Sequence, residues 1–193
     1  LESLDCSDNA LAALDLSGCT ALNATTQGDG KAENPILSPQ YLPEQTGAVT
    51  GDGKCTVYLD AIVGKNNIAS VARVPDANYD KQTGAAVYAK TPDYFSYSYD
   101  TGRKGLPAMT VYFEMQGLTS GVALNEKAFP DAAFRTLLAE TADVNGDGQL
   151  STLELRHVSE LNCSSHGIAD LTGIEHFTEL VALNCENNKL TAL

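Results

Sequence analysis

The chain has no tryptophan, two methionines and only three histidines among its 193 residues. Histidines scattered at positions 157, 166 and 176 give little basis for a catalytic triad. No Gly-x-Ser-x-Gly elbow, His-Glu-x-x-His helix, phosphate-cradling glycine loop or Cys-x-x-Cys pair is present. No catalytic residue is assigned, and a non-enzymatic protein is expected. Acidic residues are plentiful, which keeps a carboxylate-based hydrolase as the enzymatic alternative, but paired carboxylates need a deep cleft that short elements do not build.

Basic residues are also scarce: 12 Lys and Arg stand against 25 Asp and Glu, for a net charge of -13. The resulting field repels phosphate backbones and anionic headgroups, so nucleic acid is excluded as a partner. No apolar run reaches the roughly 18 to 20 residues of a membrane-spanning helix, so direct membrane insertion is not expected. No basic-then-apolar leader opens the chain, and a soluble protein whose export signal has been removed is expected. Five cysteines cannot all pair with one another. Three of them, Cys6, Cys163 and Cys185, recur at equivalent positions of a repeat and read as small core residues, while Cys55 has no obvious partner.

That repeat is the first positive feature. Leu161, Cys163, Ile168 and Leu171 recur 22 residues later as Leu183, Cys185, Leu190 and Leu193, a period in the leucine-rich-repeat range. Leu1, Leu4, Cys6, Asn9, Leu11, Leu14 and Leu16 carry the same pattern at the start, with Leu22 opening a further unit. In the Leu-x-Cys strand the two apolar side chains point inward, so Asp5, Asn162 and Asn184 point outward onto a concave face, with Glu2, Glu160 and Asp8 nearby. Such a face suits a polar or basic partner. Asn9 and Asn188 stand where an amide satisfies backbone groups at the bend after the strand, and His166 replaces it in one unit. Cys163 and His166, with Cys185 on the next strand, have metal-ligand types, but Cys6 and Cys185 sit in the same surroundings with Asn in place of His, which marks a template rather than a ligand set.

Residues 143–154 read DVNGDGQLSTLE and meet the twelve-residue EF-hand loop at every informative position. Asp143, Asn145 and Asp147 supply side-chain oxygens, Gln149 its carbonyl, Ser151 a direct or water-bridged contact and Glu154 a bidentate carboxylate; Gly148 makes the bend and Leu150 anchors the loop. A set of hard oxygen donors suits Ca2+, expected as a structural ion. Ser151-Thr-Leu-Glu154 is also a capping box, and the two readings are compatible. Upstream, PDAAFRTLLAETA places Phe134, Leu137 and Leu138 on one face of a helix beginning near Pro130 and Asp131.

Units such as LESLDCSDNALAALDLSGCTAL and LVALNCENNKLTAL resemble the short leucine-rich repeats of secreted and surface proteins of bacteria, the internalin-like and BspA-like group. The resemblance implies an EF-hand-like N-terminal cap before the repeats and a small β-sandwich after them. Between residues 23 and 120 the leucine period vanishes, turn signals rise, and alternation appears at Val57 and Leu59, at Phe95, Tyr97 and Tyr99, and at Val111, Phe113 and Met115. About seven short strands are expected there, in an immunoglobulin-like sandwich. KTPDYFSYSYDTG followed by MTVYFEM looks like the closing strands of the family's sandwich domains, and the tyrosines read as cross-strand packing rather than a sugar platform. LPEQTG at 42–47 has one residue more than a sortase signal and no apolar tail, and is not one.

The expected fold class is α+β and multi-domain: a leucine-rich-repeat solenoid with a helical EF-hand-like cap, plus an immunoglobulin-like β-sandwich. The expected division is 1–22 repeats, 23–120 sandwich, 121–157 cap with calcium loop, and 158–193 repeats. This order is rotated relative to the family's cap, repeats and sandwich, which suggests a permuted module or a span across two tandem copies. Either way all repeats are expected in one continuous parallel sheet, with Leu1 and Leu193 close together. The function expected is that of an extracellular or cell-surface adhesion-type protein binding a protein or glycan. The alternative is a purely structural spacer within a larger surface protein.

Overall fold

The structure is a computed structural model, and it describes residues 1–26, 32–118 and 121–191. The chain divides into two compact units, Leu1–Leu118 and Thr119–Leu193.

The first unit contains β1 (Thr25–Thr26), β2 (Ala32–Asn34), β3 (Gln40–Tyr41), β4 (Val49–Gly51), β5 (Lys54–Tyr58), α1 (Asp60–Val63), a 3-10 turn at Lys65–Ser70, β6 (Val71–Arg73), β7 (Ala77–Tyr79), β8 (Ala85–Tyr88), β9 (Phe95–Tyr99) and β10 (Met109–Phe113). Two four-stranded sheets result, ordered β3-β10-β9-β6 and β4-β5-β8-β7. The alternation seen in the sequence is what makes these strands. Phe95, Tyr97 and Tyr99 of β9 and Met109, Val111 and Phe113 of β10 are buried, while Ser96, Ser98, Thr110 and Tyr112 between them are half-buried on the other face. Val111 lies opposite Tyr97 and Phe113 opposite Phe95, whose rings stack 5.4 Å apart. Burying each such side chain stabilises the unit by about 2 kcal/mol.

The leucines of residues 1–22 belong to this same core. Leu16 and Leu22 are buried in it, and Leu4, Cys6, Leu11 and Leu14 pack against it. Their backbone is held by residues 36–41, which bridge in parallel at Asp5 with Ile36 and at Asn9 with Gln40. The next stretch of that segment, β3, pairs in parallel with β10. One extended segment therefore joins the leucine strand to the sheet, and the Tyr97 hydroxyl ties it further by donating to the Ala12 carbonyl at 2.6 Å.

The second unit contains β11 (Gly121–Ala123), α2 (Ala132–Thr141), β12 (Gln149–Ser151), α3 (Thr152–His157), β13 (Glu160–Asn162) and β14 (Ala182–Asn184). Asp131 caps α2 by accepting from the Phe134 amide at 3.0 Å. The i, i+3, i+4 positions Phe134, Leu137 and Leu138 are buried, in one cluster with Leu150, Leu161, Cys163 and Ile168. β11 and β12 pair antiparallel, whereas β13 and β14 pair in parallel with Leu161 opposite Leu183. No helix among the described residues is long and apolar enough to cross a membrane.

The expected leucine-rich-repeat solenoid with a helical EF-hand-like cap and an immunoglobulin-like sandwich is not the fold of this chain. Small β-sheets predominate, helices are few and short, and neither a solenoid nor a helical cap is evident. The reasons lie in packing. The 22-residue period produces one two-stranded ladder, β13-β14, rather than a stack. α2 and α3 share their core with that ladder instead of closing off an array. The middle of the chain forms two small sheets whose core is completed by leucines from residues 1–22 and whose first sheet ends in a parallel strand. The expected continuous parallel sheet fails for the same reason: the leucine strand at Asp5 pairs with Ile36. The expected closeness of Leu1 and Leu193 involves a terminus outside the described residues.

Candidate metal centre

The loop 143–154 is closed by its own acidic side chains. Asp143 accepts through Oδ1 from the Gly146 and Asp147 amides at 2.8 and 3.2 Å, and through Oδ2 from Gly148 at 3.0 Å. Asn145 Oδ1 accepts from the Asp147 amide at 2.9 Å, and Asp147 Oδ1 from the Gln149 amide at 2.8 Å. The positive φ of Gly146 and Gly148 lets successive N–H groups turn toward one side, as an ordinary side chain would not.

Glu154 reaches back from the first turn of α3. Its Oε1 accepts from Val144 and Asn145 at 2.8 and 3.3 Å, its Oε2 from the Ser151 amide at 2.9 Å, and the Ser151 hydroxyl accepts from the Glu154 amide at 3.1 Å. The capping box foreseen in the sequence is complete. One carboxylate thus ties the beginning of the loop to its end, and it is buried there. Leu150 is fully buried beneath β12, which fixes the loop on the core of its unit.

Asp143, Asn145, Asp147, Gln149, Ser151 and Glu154 therefore lie in one turn of chain rich in hard oxygen donors, the chemistry of a Ca2+ ligand set. In this arrangement the carboxylates serve the loop amides. Among the described residues no group of three or more His, Cys, Asp or Glu is gathered closely enough to hold a metal ion. A carboxylate oxygen has lone pairs beyond the one given to an N–H. The donor set fits a cation by type, and small side-chain rotations separate these donors from a closed coordination shell.

The residues assigned to a partner face fall in both units. In the second, Glu160, Asn162 and Asn184 are exposed on β13 and β14, with Asn162 directly opposite Asn184. A cavity of ≈ 430 Å³ beside them is lined by Thr141, His157, Val158, Ser159, Glu160, Leu161 and Asn162. In the first unit Glu2 and Asp5 are exposed. Asp5 accepts from the Ser7 hydroxyl and amide at 2.7 and 3.0 Å, which holds its carboxyl below the usual value. Asn162 and Asn184 repeat that turn, accepting from the amides of Ser164 and Glu186.

The template asparagine has a defined task. Asn188 Nδ2 donates to the carbonyls of Cys163 and Cys185 at 2.8 and 3.0 Å, and its Oδ1 accepts from Ile168 at 3.0 Å and His166 at 3.2 Å. The Cys163 thiol donates to the Asn184 carbonyl, burial pushes it up from its ordinary value, and a His166 ring nitrogen is engaged with Ser164. Gln40 was missed in the sequence. Fully buried, it donates to Cys6 and Leu37 carbonyls and accepts from the Leu11 amide at 3.1 Å, the work Asn188 does for Cys163 and Ile168. Its segment, ILSPQY, carries no leucine period that could have revealed it.

Over 65 residues the chain is 35% identical to internalin J of Listeria monocytogenes serotype 4b (strain F2365), a match covering 34% of this chain and 7% of that protein. The chain thus spans a small part of the relative's length. No family model matches. No solved structure matches.

Proposed function

We propose that this chain is a non-catalytic binding segment of a secreted or surface-exposed bacterial protein. It engages a protein or glycan through the β13-β14 face and takes Ca2+ as a structural ion in the 143–154 loop. The observation that carries the binding reading is the cavity of ≈ 430 Å³ whose lining includes Glu160 and Asn162, two exposed residues of that face. A concave site with a few convergent polar groups is where a ligand gains both contact area and orientation. The local likeness to internalin J supports a surface location. The net charge of -13 favours polar or basic partners over nucleic acid.

For the ion, the support is the donor set itself: three carboxylates and one amide oxygen in a single loop whose ends Glu154 joins. Binding to the folded state alone raises stability as the ligand concentration rises above its dissociation constant. The melting temperature should therefore rise with millimolar Ca2+ and fall back on chelation. An unmoved melting curve sinks the calcium reading. Screening the chain against extracellular proteins and glycans should yield a ligand whose affinity drops for Glu160→Ala with Asn162→Ala. Equal binding by that variant removes the face from the proposal.

A further inference from the structure

The template strand uses a fixed set of backbone groups to bind its follower. Around Asn162 the Cys163 amide donates to the Asn184 carbonyl at 2.8 Å. Around Asp5 the Cys6 amide donates to the Ile36 carbonyl at 2.9 Å, and the Leu4 carbonyl accepts from the Ile36 amide at 2.9 Å. Alternate residues of a strand point their N–H and C=O to opposite edges. On β14, whose inner edge is taken by β13, the equivalent outward groups are the Leu183 carbonyl and the Cys185 amide. On the leucine strand, whose following edge is taken by Ile36, the Asp5 N–H and C=O face the other way. Among the described residues these groups have no backbone partner.

Side-chain exposure tells the same story. Where a follower strand is present, Leu161 and Cys163 are 5% and 0% exposed. At the end of the ladder the same template residue Leu183 is 36% exposed, Val181 is 82% exposed and Cys185 is only half-buried. Leu1, at the free side of the other leucine strand, is 63% exposed. Exposed apolar residues along an unpaired strand edge are an adhesive surface.

We propose that two copies of this chain associate head to tail, with the leucine strand of one adding in parallel to the outer edge of β14 in the other. The Asp5 amide donates to the Leu183 carbonyl and the Cys185 amide to the Asp5 carbonyl, continuing the β13-β14 ladder by one strand. Leu1, Leu4, Cys6, Asn9 and Leu11 then fall beside Leu180, Leu183, Cys185, Asn188 and Leu190, like on like. Directly facing pairs include no like charges: Asp5 meets Asn184, Ser7 meets Glu186 and Asp8 meets Asn187. The two edges differ, so the contact is heterologous and each copy keeps one edge of each kind for a further copy. The net charge of -13 per chain opposes contact at low salt, so association strengthens as salt screens it.

Sedimentation velocity of the full chain over a concentration series, at low and half-molar salt, tests this. The expected result is a mass that climbs past the dimer with concentration, more steeply at high salt. Val181→Lys with Leu183→Lys disables the β14 edge, and Asp5→Pro removes the amide of the other. Each variant should sediment as a monomer, with its dissociation constant raised on the order of tenfold or more. Their equal mixture should form a discrete dimer, since each retains one working edge. Circular dichroism identifies a variant that has lost its fold, and unsubstituted chain supplies the second readout. Mixed unlabelled and nitrogen-15 chains treated with a short bis-maleimide should give Cys6–Cys185 cross-links carrying both isotopes. A monomer at every concentration and salt, a mass that stops at a closed dimer, or cross-links within single chains only would overturn the proposal.

Discussion

Glu154 offers the sharpest test of how the 143–154 loop is held. Its carboxylate accepts from three loop amides, those of Val144, Asn145 and Ser151, at 2.8, 3.3 and 2.9 Å. Hydrogen bonds to a charged acceptor contribute about 1.5 to 3 kcal/mol each when buried, less where water can replace the partner. Glu154→Gln keeps the size of the side chain but turns an NH2 group toward at least one of those amides. It should cost about 2 kcal/mol. Glu154→Ala frees all three amides and opens the capping box, for about 3 kcal/mol in total, because the exposed loop regains some hydration. Urea denaturation in the presence of a chelator measures this without any contribution from a bound ion, with the slope against denaturant checking that the exposed surface is unchanged. If both variants stayed within about 0.5 kcal/mol of the parent chain, the loop would not be closed by Glu154 and the reasoning would fail.

Asp131 joins the start of α2 to the turn after the ladder, accepting from Phe134 at 3.0 Å and from Ala169 and Asp170 at 2.7 and 3.2 Å. Burial pushes its carboxyl up, but the bonds from Ala169, Phe134, Asp170 and Ala133 outweigh this and leave it below the ordinary value. A depressed acid stabilises the fold above its unfolded pKa of about 3.9 and loses that contribution as pH falls through the lower folded value. Asp131→Ala should therefore cost about 1 kcal/mol or more at neutral pH and little at strongly acid pH, as read from chemical denaturation at several pH values. Gly173 has a φ of +103° with the Phe129 ring and the Ala128 carbonyl against the place of a side chain. Gly173→Ala should destabilise the second unit by about 2 kcal/mol or more, seen as faster amide exchange throughout α2. Asn188→Ala strands the Cys163 carbonyl and the Ile168 amide, for about 2 kcal/mol. Gln40→Ala should cost the first unit more, since its amide is fully buried, and thermal denaturation of the two variants ranks them.

Much of the local structure was legible. The helix beginning at Asp131 with Phe134, Leu137 and Leu138 inward follows from a 3.6-residue period and a capping side chain. The alternation in β9 and β10 follows from a two-residue period, and the capping box at Ser151 and Glu154 from their spacing. The six loop residues were also legible as one cluster of oxygen donors, because a loop of twelve consecutive residues needs no distant partner to bring them together. Gln40 was not legible, since nothing near it in sequence announces that it will meet Cys6 and Leu11.

By itself the sequence determined which residues face inward, because periodicity is a local property of helix and strand. It also determined the net charge of -13 and hence the partners that are repelled. Only the tertiary structure decided which inward faces share a core. The leucines of residues 1–22 match those of 161–190 in pattern, yet they are buried with Phe95, Val111 and Phe113, while their counterparts are buried with α2. A leucine face carries no information about which other apolar face will cover it, because the hydrophobic effect is non-directional. The choice falls to the segment that satisfies the strand's backbone hydrogen bonds, and for residues 4–9 that segment is 36–41.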